Sequence, residues 1–537
     1  MAFYTDTLAI GRYVYSDRPK CLLSVMNTMP TTSCEPTNQI VKRSQDFSTA
    51  KAHRRLSQSP DNAARDLYFA LSVAQPPELA LNGARRFLDE SIQESASLSC
   101  DLPTNARELD AWIDRSTAEV GARYQQYLKG RKNGQPRAYF ATKSQALHFL
   151  KAVAPTKTVD GAWLYGLVKH WNDGRFESLI KIYLEELGSG VPEKNHVVLF
   201  KKLLATHGCD KWDTLSDTHF VQGAIQLALA HHADHFLPEV IGFNLGYEQL
   251  PLHLLITAYE LNELGIDPYY FTLHVTVDNA DTGHAKSALA GLREAWPVVC
   301  DDKRFYERVM NGFKLNSLGA STNSIIASFD LQEELFSIFK EKSRAGNQVH
   351  SDYCRVAGRT VNDWLKNEEE IPSFIAALEK AGWIKRGEDP DNSRFWKLLQ
   401  GDRAEMFGVF NAYELQAIYD WIKGDAQGAA ASNTSVTSAP IQRTLTFKAR
   451  QKLHATLENR NGIKIGPEKE SQKVLVSMAT ADHATDFNAE IRRLDSALSK
   501  TASREEAMNM LGELISPARH HTAVGLKATR MFVRMFG

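Results

Sequence analysis

Two histidines, His274 and His284, and two aspartates, Asp278 and Asp281, lie in the stretch LHVTVDNADTGHAKSALAGL, residues 273–292. Read as one continuous helix, which only Gly283 interrupts, the stretch places all four on one face with Val277, Ala285 and Ala288. Burying imidazoles and carboxylates unpaired on such a small, apolar face costs several kcal/mol. A transition-metal site removes that cost, because His and Asp are common ligands of iron, zinc and manganese.

Two further segments put polar groups where a core should be. In FESLIKIYLEELGSGVPEKNHVVLFKKLLATHG (residues 176–208), Glu186 continues the stripe of Leu179, Ile182 and Tyr183, while Glu185 falls to one side. Gly188, Gly190 and Pro192 interrupt the helix, which resumes with His196 on the face of Leu199, Phe200 and Leu203. In HHADHFLPEVIGFNLGYEQLPLHLLITAYELNELG (residues 231–265), Glu248 continues the stripe of Ile241 and Leu245. Glu239 sits half a turn away with Gly242 and Gly246, so only one of these two acids is expected as an inward-facing ligand. His231 and His235 have the spacing of a zinc pair but lack an HExxH motif, and an exposed polar helix end is the plainer account. Glu260 and Glu263 are assigned to a solvated face. One inward acid or imidazole is ordinary core chemistry. Three segments contributing Glu–His, Glu and His–Asp–His form the ligand inventory of a dinuclear iron or manganese site, although the Glu-x-x-His pairs of ferritin-like bundles are missing.

The order Glu186, His196, Glu248, His274, Asp278 or Asp281, His284 resembles that of the haem-oxygenase-like diiron oxidases and oxygenases, also called iron-containing redox enzymes. The phrases EELGSGVPEKNHVVLF, GFNLGYE and LHVTVDNADTGHA carry the resemblance across residues 160–300. It implies an all-α, haem-oxygenase-like helical bundle holding two iron ions (Fe2+/Fe3+), with manganese as the second candidate metal and O2 as co-substrate. The implied reaction is N-oxygenation or oxidative C–H or C–C cleavage of a small amine, amino acid or carboxylate, in specialised-metabolite biosynthesis. The family's third helix reads His-x3-Asp-x2-His. Here Asp278 has the first spacing and Asp281 the second, so both are retained as ligands, with Asp281 favoured. A haem-binding or haem-degrading protein and a non-catalytic helical scaffold are the competing expectations.

The elements that must position these groups are helical, since alternating β-branched runs are scarce. Residues 1–60 read as a flexible N-terminal extension, 61–345 as the bundle with its N-terminal helices, 346–423 as a helical cap, 424–440 as a linker and 441–537 as an additional helical C-terminal region. The aromatics at 395, 396, 407, 410 and 421 are expected in core packing. Hydrophobic residues make up 43% and charged residues 24% of the chain, with net charge −1, so bulk electrostatics favour neither nucleic acid nor membrane. The six cysteines are scattered without CxxC spacing, as expected of reduced thiols. No apolar run suits a membrane span or a signal sequence, so a cytoplasmic location is expected. The expected partner is a small-molecule substrate, with room for an external electron donor and a homodimer.

Overall fold

The computed structural model describes residues 62–277, 283–297, 302–346, 348–400, 404–424 and 481–537. The expected extension at 1–60 and all of the expected linker except Gly424 lie outside the described residues. Within them the chain is almost wholly helical, and one two-stranded antiparallel ribbon pairs Arg355 with Thr360 and Val356 with Arg359. The all-α class expected from the sequence is what the described residues adopt. No helix among the described residues is long and apolar enough to cross a membrane.

Local signals start the helices that matter here. The Thr142 hydroxyl accepts from the Gln145 N–H (3.2 Å) and starts Lys143–Ala152. The Asn195 side chain accepts from the Val198 N–H (3.0 Å) and starts His196–His207. Such N-caps are each worth about 1 kcal/mol. Pro238 occupies the first turn of Leu237–Tyr247, where its missing N–H costs nothing.

The principal core gathers helices Glu177–Glu186, Val221–His232, Leu237–Tyr247 and His284–Glu294 around Trp163, Tyr183, Phe243 and Tyr247. The Trp163 indole N–H donates to Asn244 Oδ1 at 2.9 Å, so the largest buried ring also has its polar atom satisfied. Helices Arg504–Leu514 and Ala523–Phe536 pack into this same core through Met508, Leu511, Val524, Ala528 and Phe532. A second, smaller core around Phe339, Trp364, Phe374 and Trp421 organises the region of the expected cap. Phe395, Phe410 and Trp421 are buried there and Trp396 is partly so, but Phe407 is 79% exposed, against the expectation for that position.

Two sequence readings require correction. The 273–292 stretch is not one helix: Tyr269–Val277 ends before the residues that lie outside the description, and His284–Glu294 starts anew with Gly283 extended (φ −83°, ψ −178°). Gly283 is the N-cap of the second helix, a position glycine favours over a helix interior, and this outweighs the apolar periodicity around it. Glu260 is fully buried, not solvated. Its carboxylate accepts from Tyr127 Oη (2.7 Å) and from the backbone N–H groups of Ala138, Tyr139 and Phe140, so it serves as the anion for a turn with no other acceptor. Glu263 is exposed and pairs with Arg131, as expected.

Candidate metal centre

Most of the residues that meet in the principal core come from helix ends. Glu186 is the last residue of Glu177–Glu186, and Glu248 directly follows Leu237–Tyr247. His196 and His284 are the first residues of their helices, and only His274 lies inside one. A helix C-terminus carries partial negative charge and an N-terminus partial positive charge. The acids therefore sit where a cation is favoured.

Two donor groups result, each with its ligand atoms within 4.8 Å of one another. Asp160, Glu186, His196 and His274 form one; Glu186, Glu248 and His284 form the other. Glu186 is common to both. Its Oε2 lies 2.5 Å from His196 Nδ1 and its Oε1 lies 3.4 Å from His284 Nδ1. Glu248 Oε2 is 2.9 Å from His284 Nδ1, and Asp160 Oδ2 is 3.1 Å from His274 Nε2. All six residues are at most 4% exposed.

Hydrogen bonds orient the rings. His274 Nδ1 lies 2.7 Å from the Tyr270 carbonyl oxygen, an acceptor that fixes the proton there and leaves Nε2 as the donor atom. His284 Nε2 lies 2.7 Å from Glu185 Oε2, which leaves Nδ1 facing Glu248 and Glu186. Tyr270 Oη donates to Asp160 Oδ2 at 2.7 Å, and the Lys157 ammonium lies 3.8 Å from Asp160 Oδ1.

The electrostatics are those of an incompletely neutralised cluster. Burial acts to lower the His284 pKa, but the Glu248, Glu185 and Glu186 carboxylates outweigh it and push it up to about 12. Burial holds His274 down to about 4, helped by the neighbouring His196. Burial raises Glu248; for Glu186 the His196 imidazole outweighs burial and lowers it. Asp160 Oδ1 and Glu248 Oε1 are buried without a hydrogen-bond partner among the described residues. Two orphaned carboxylate oxygens in one cluster, each able to ligate, fit a bound cation, whereas a purely hydrogen-bonded core would leave a penalty of about 1–3 kcal/mol at each. The donor set of carboxylates and imidazoles is that of iron, manganese or zinc.

Of the residues expected from the sequence, Glu186, His196, Glu248, His274 and His284 are brought together. Asp278 and Asp281 lie outside the described residues. Glu239 is buried elsewhere: the Arg308 guanidinium grips it at 2.7 and 2.6 Å. His235 is exposed beside Arg85, and neither it nor His231 joins a donor group among the described residues. Sequence periodicity missed Asp160 and Glu185. Asp160 precedes Gly161 in a turn and follows no helical stripe; its only sequence signal is a lone acid amid buried residues. Glu185 was set aside as off-face, yet it reaches His284 because the side chain is long and 55% exposed at the rim.

Residues 147–314 match the iron-containing redox enzyme family. The matched segment contains both donor groups, from Asp160 to His284, and its similarity to that family of the haem-oxygenase-like superfamily supports an oxidoreductase. The cap and the C-terminal helices fall outside the match. No curated protein and no solved structure matches the chain.

Proposed function

We propose that the protein is an O2-dependent, non-haem diiron oxidase or oxygenase acting on a small organic substrate. The observation that carries this reading is the position of Glu186, whose two oxygens face two separate donor groups, as a bridging carboxylate requires. His196, His274 and Asp160 would hold one ion with Glu186; His284 and Glu248 would hold the other. Two ferrous ions bound there supply the electrons for activating dioxygen.

The remaining tasks fall to this chain's own side chains. Tyr247 and Tyr270 are almost wholly buried and close off the Asp160 side from bulk water. Tyr270 and Lys157 hold Asp160 as a carboxylate: the ammonium lies at 3.8 Å, and Asp160 stays well below the usual range although burial opposes ionisation. On the opposite side Glu185, half exposed, links His284 to the surface and fixes which nitrogen faces the centre. A Glu/Asp/His shell of this hardness suits the ferric state as well as the ferrous one.

The test is anaerobic loading of the full chain with Fe(II), metal analysis, and rapid mixing with O2 while recording the visible spectrum. Two iron equivalents and a transient charge-transfer band are expected, and His284→Ala and Glu186→Ala should each abolish the band. A protein that takes up neither iron nor manganese is a helical scaffold, and one that purifies with a haem absorbance is a haem protein; either result defeats the proposal.

A further inference from the structure

The turn between Glu186 and His196 is held from outside the matched segment. Tyr183, one helical turn before Glu186, donates its hydroxyl to the Ile515 carbonyl oxygen at 2.5 Å. Gly190 (φ +81°) packs so closely on Ala523–Phe536 that a Cβ there would lie 2.4 Å from the Leu526 carbonyl oxygen. Asn195, the residue that starts the His196 helix, is completely buried, and its Nδ2 donates to the Leu187 carbonyl oxygen (3.2 Å) and to His520 Nδ1 (3.1 Å). One amide thus ties together the residue after Glu186, the start of the His196 helix and the C-terminal region. His520 is itself buried, which favours the neutral ring whose Nδ1 keeps a lone pair for this bond.

We infer that His520 is a positioning residue of the metal centre, acting through Asn195 to set His196 against Glu186, and that the C-terminal helices are structurally part of that centre. The inference rests on the reading of Glu186 and His196 as ligands. Its physical basis is tolerance: ligand constellations must be held to about 0.5 Å. The chain from Leu187 to Asn195 contains a left-handed Ser189 (φ 50°) and two left-handed glycines, so it is a run of short turns and not a continuous helix. Beyond the turn's own backbone bonds and Tyr269 Oη on the Glu193 carbonyl oxygen, the C-terminal region braces it through His520, Leu526 and Arg530, and Ile515 holds Tyr183 just before it.

Full-length wild type, His520→Asn, His520→Leu and Tyr183→Phe would be titrated anaerobically with Co(II), following the visible d–d bands and equilibrium dialysis, with circular dichroism and thermal melts as folding controls. Asparagine can present an acceptor near the position of Nδ1; leucine cannot. Wild type is expected to bind two equivalents and His520→Asn to remain within about threefold of it. His520→Leu should bind its first-lost ion about 10–100-fold more weakly, as outer-sphere partners of ligands do, with altered band intensities. Tyr183→Phe, which keeps the ring and loses one hydrogen bond, should weaken binding about fivefold; it carries the test if His520→Leu does not fold. Wild-type affinity and spectrum in His520→Leu, or in Tyr183→Phe where His520→Leu does not fold, overturns the inference while leaving the two-metal reading intact. Equal losses in His520→Asn and His520→Leu also overturn it, since packing alone would explain them. A wild type that binds no Co(II) removes both.

Discussion

Gly161→Ala should strip the centre of metal by moving Glu186, and its cost can be separated into parts. Gly161 has φ +81°, and a Cβ there would lie 2.9 Å from Glu186 Cβ and 3.1 Å from Glu186 Cγ. Carbon atoms rest at about 3.5–4.0 Å, so Glu186 must retreat by roughly 0.6–1 Å, beyond the ~0.5 Å that a ligand constellation tolerates. An alanine at positive φ costs about 1–2 kcal/mol, and overpacking of a buried contact adds about 1–3 kcal/mol. Gly134 supplies the control, since it has φ +86° with nothing within 4 Å of its would-be Cβ. Gly134→Ala should therefore show the backbone part alone, about 1–2 kcal/mol, and bind metal normally. Urea denaturation of the metal-free proteins gives the two stabilities, and Fe(II) or Co(II) stoichiometry gives the functional consequence. Should Gly161→Ala lose no more stability than Gly134→Ala and still bind two ions at wild-type affinity, Glu186 is not the confined bridging carboxylate described above.

Three other perturbations follow from the same geometry. Glu185→Leu removes the acceptor on His284 Nε2 and should weaken metal binding about 10–100-fold, whereas Glu185→Gln retains an acceptor oxygen and should lose less; equal losses in a competitive chelator titration would argue against an orienting hydrogen bond. Lys157→Met deprives the buried Asp160 of its cation at 3.8 Å and should destabilise the metal-free protein by about 3–5 kcal/mol, part of which added divalent metal restores; an unchanged denaturation midpoint would contradict this. Burial, with the Lys151 ammonium, lowers His148 from 6.5 to about 4 despite Glu334. The unfolded chain then binds the extra proton first, so the stability this neutral ring contributes is complete above pH 6.5 and falls as the pH drops toward 4. Between pH 7 and 5 the loss should be about 2 kcal/mol, and His148→Asn should flatten the stability–pH curve by that amount in denaturant titrations.

The helical class and much of the centre could be read from periodicity because core-facing acids are costly and therefore informative. Glu186 and Glu248 each continue an apolar stripe, and His196 opens one, so a helical wheel finds them even though they sit at helix ends. Asp160 could not be found this way. It belongs to the turn before Gly161, and what makes it inward-facing is the tertiary contact of Tyr270, His274 and Lys157. Glu185 and Glu260 failed for opposite reasons. The wheel correctly placed Glu185 off the core face but did not allow for the reach of its side chain to His284. Glu260 looked solvated because nothing local shows that the turn at 138–140 needs a buried acceptor. The extended Gly283 before His284 was obscured by apolar residues on both sides of a polar run.

That new helix start bears directly on what the centre can do. In a continuous helix, His274 and His284 would be fixed at one spacing along one rigid rod. As two helices they reach different donor groups: His274 lies with Asp160 and His196, and His284 lies with Glu248, with Glu186 between them. The orienting partners differ in the same way, a backbone carbonyl for His274 and a half-exposed carboxylate for His284. Two ions held in this frame would be inequivalent. The His274 side carries the buried Asp160–Lys157 pair and two nearly buried tyrosines, while the His284 side communicates with solvent through Glu185. Metal titrations should accordingly resolve two affinities, with the ion on the His284 side the more accessible to added chelator, and Glu185→Leu should affect that ion first.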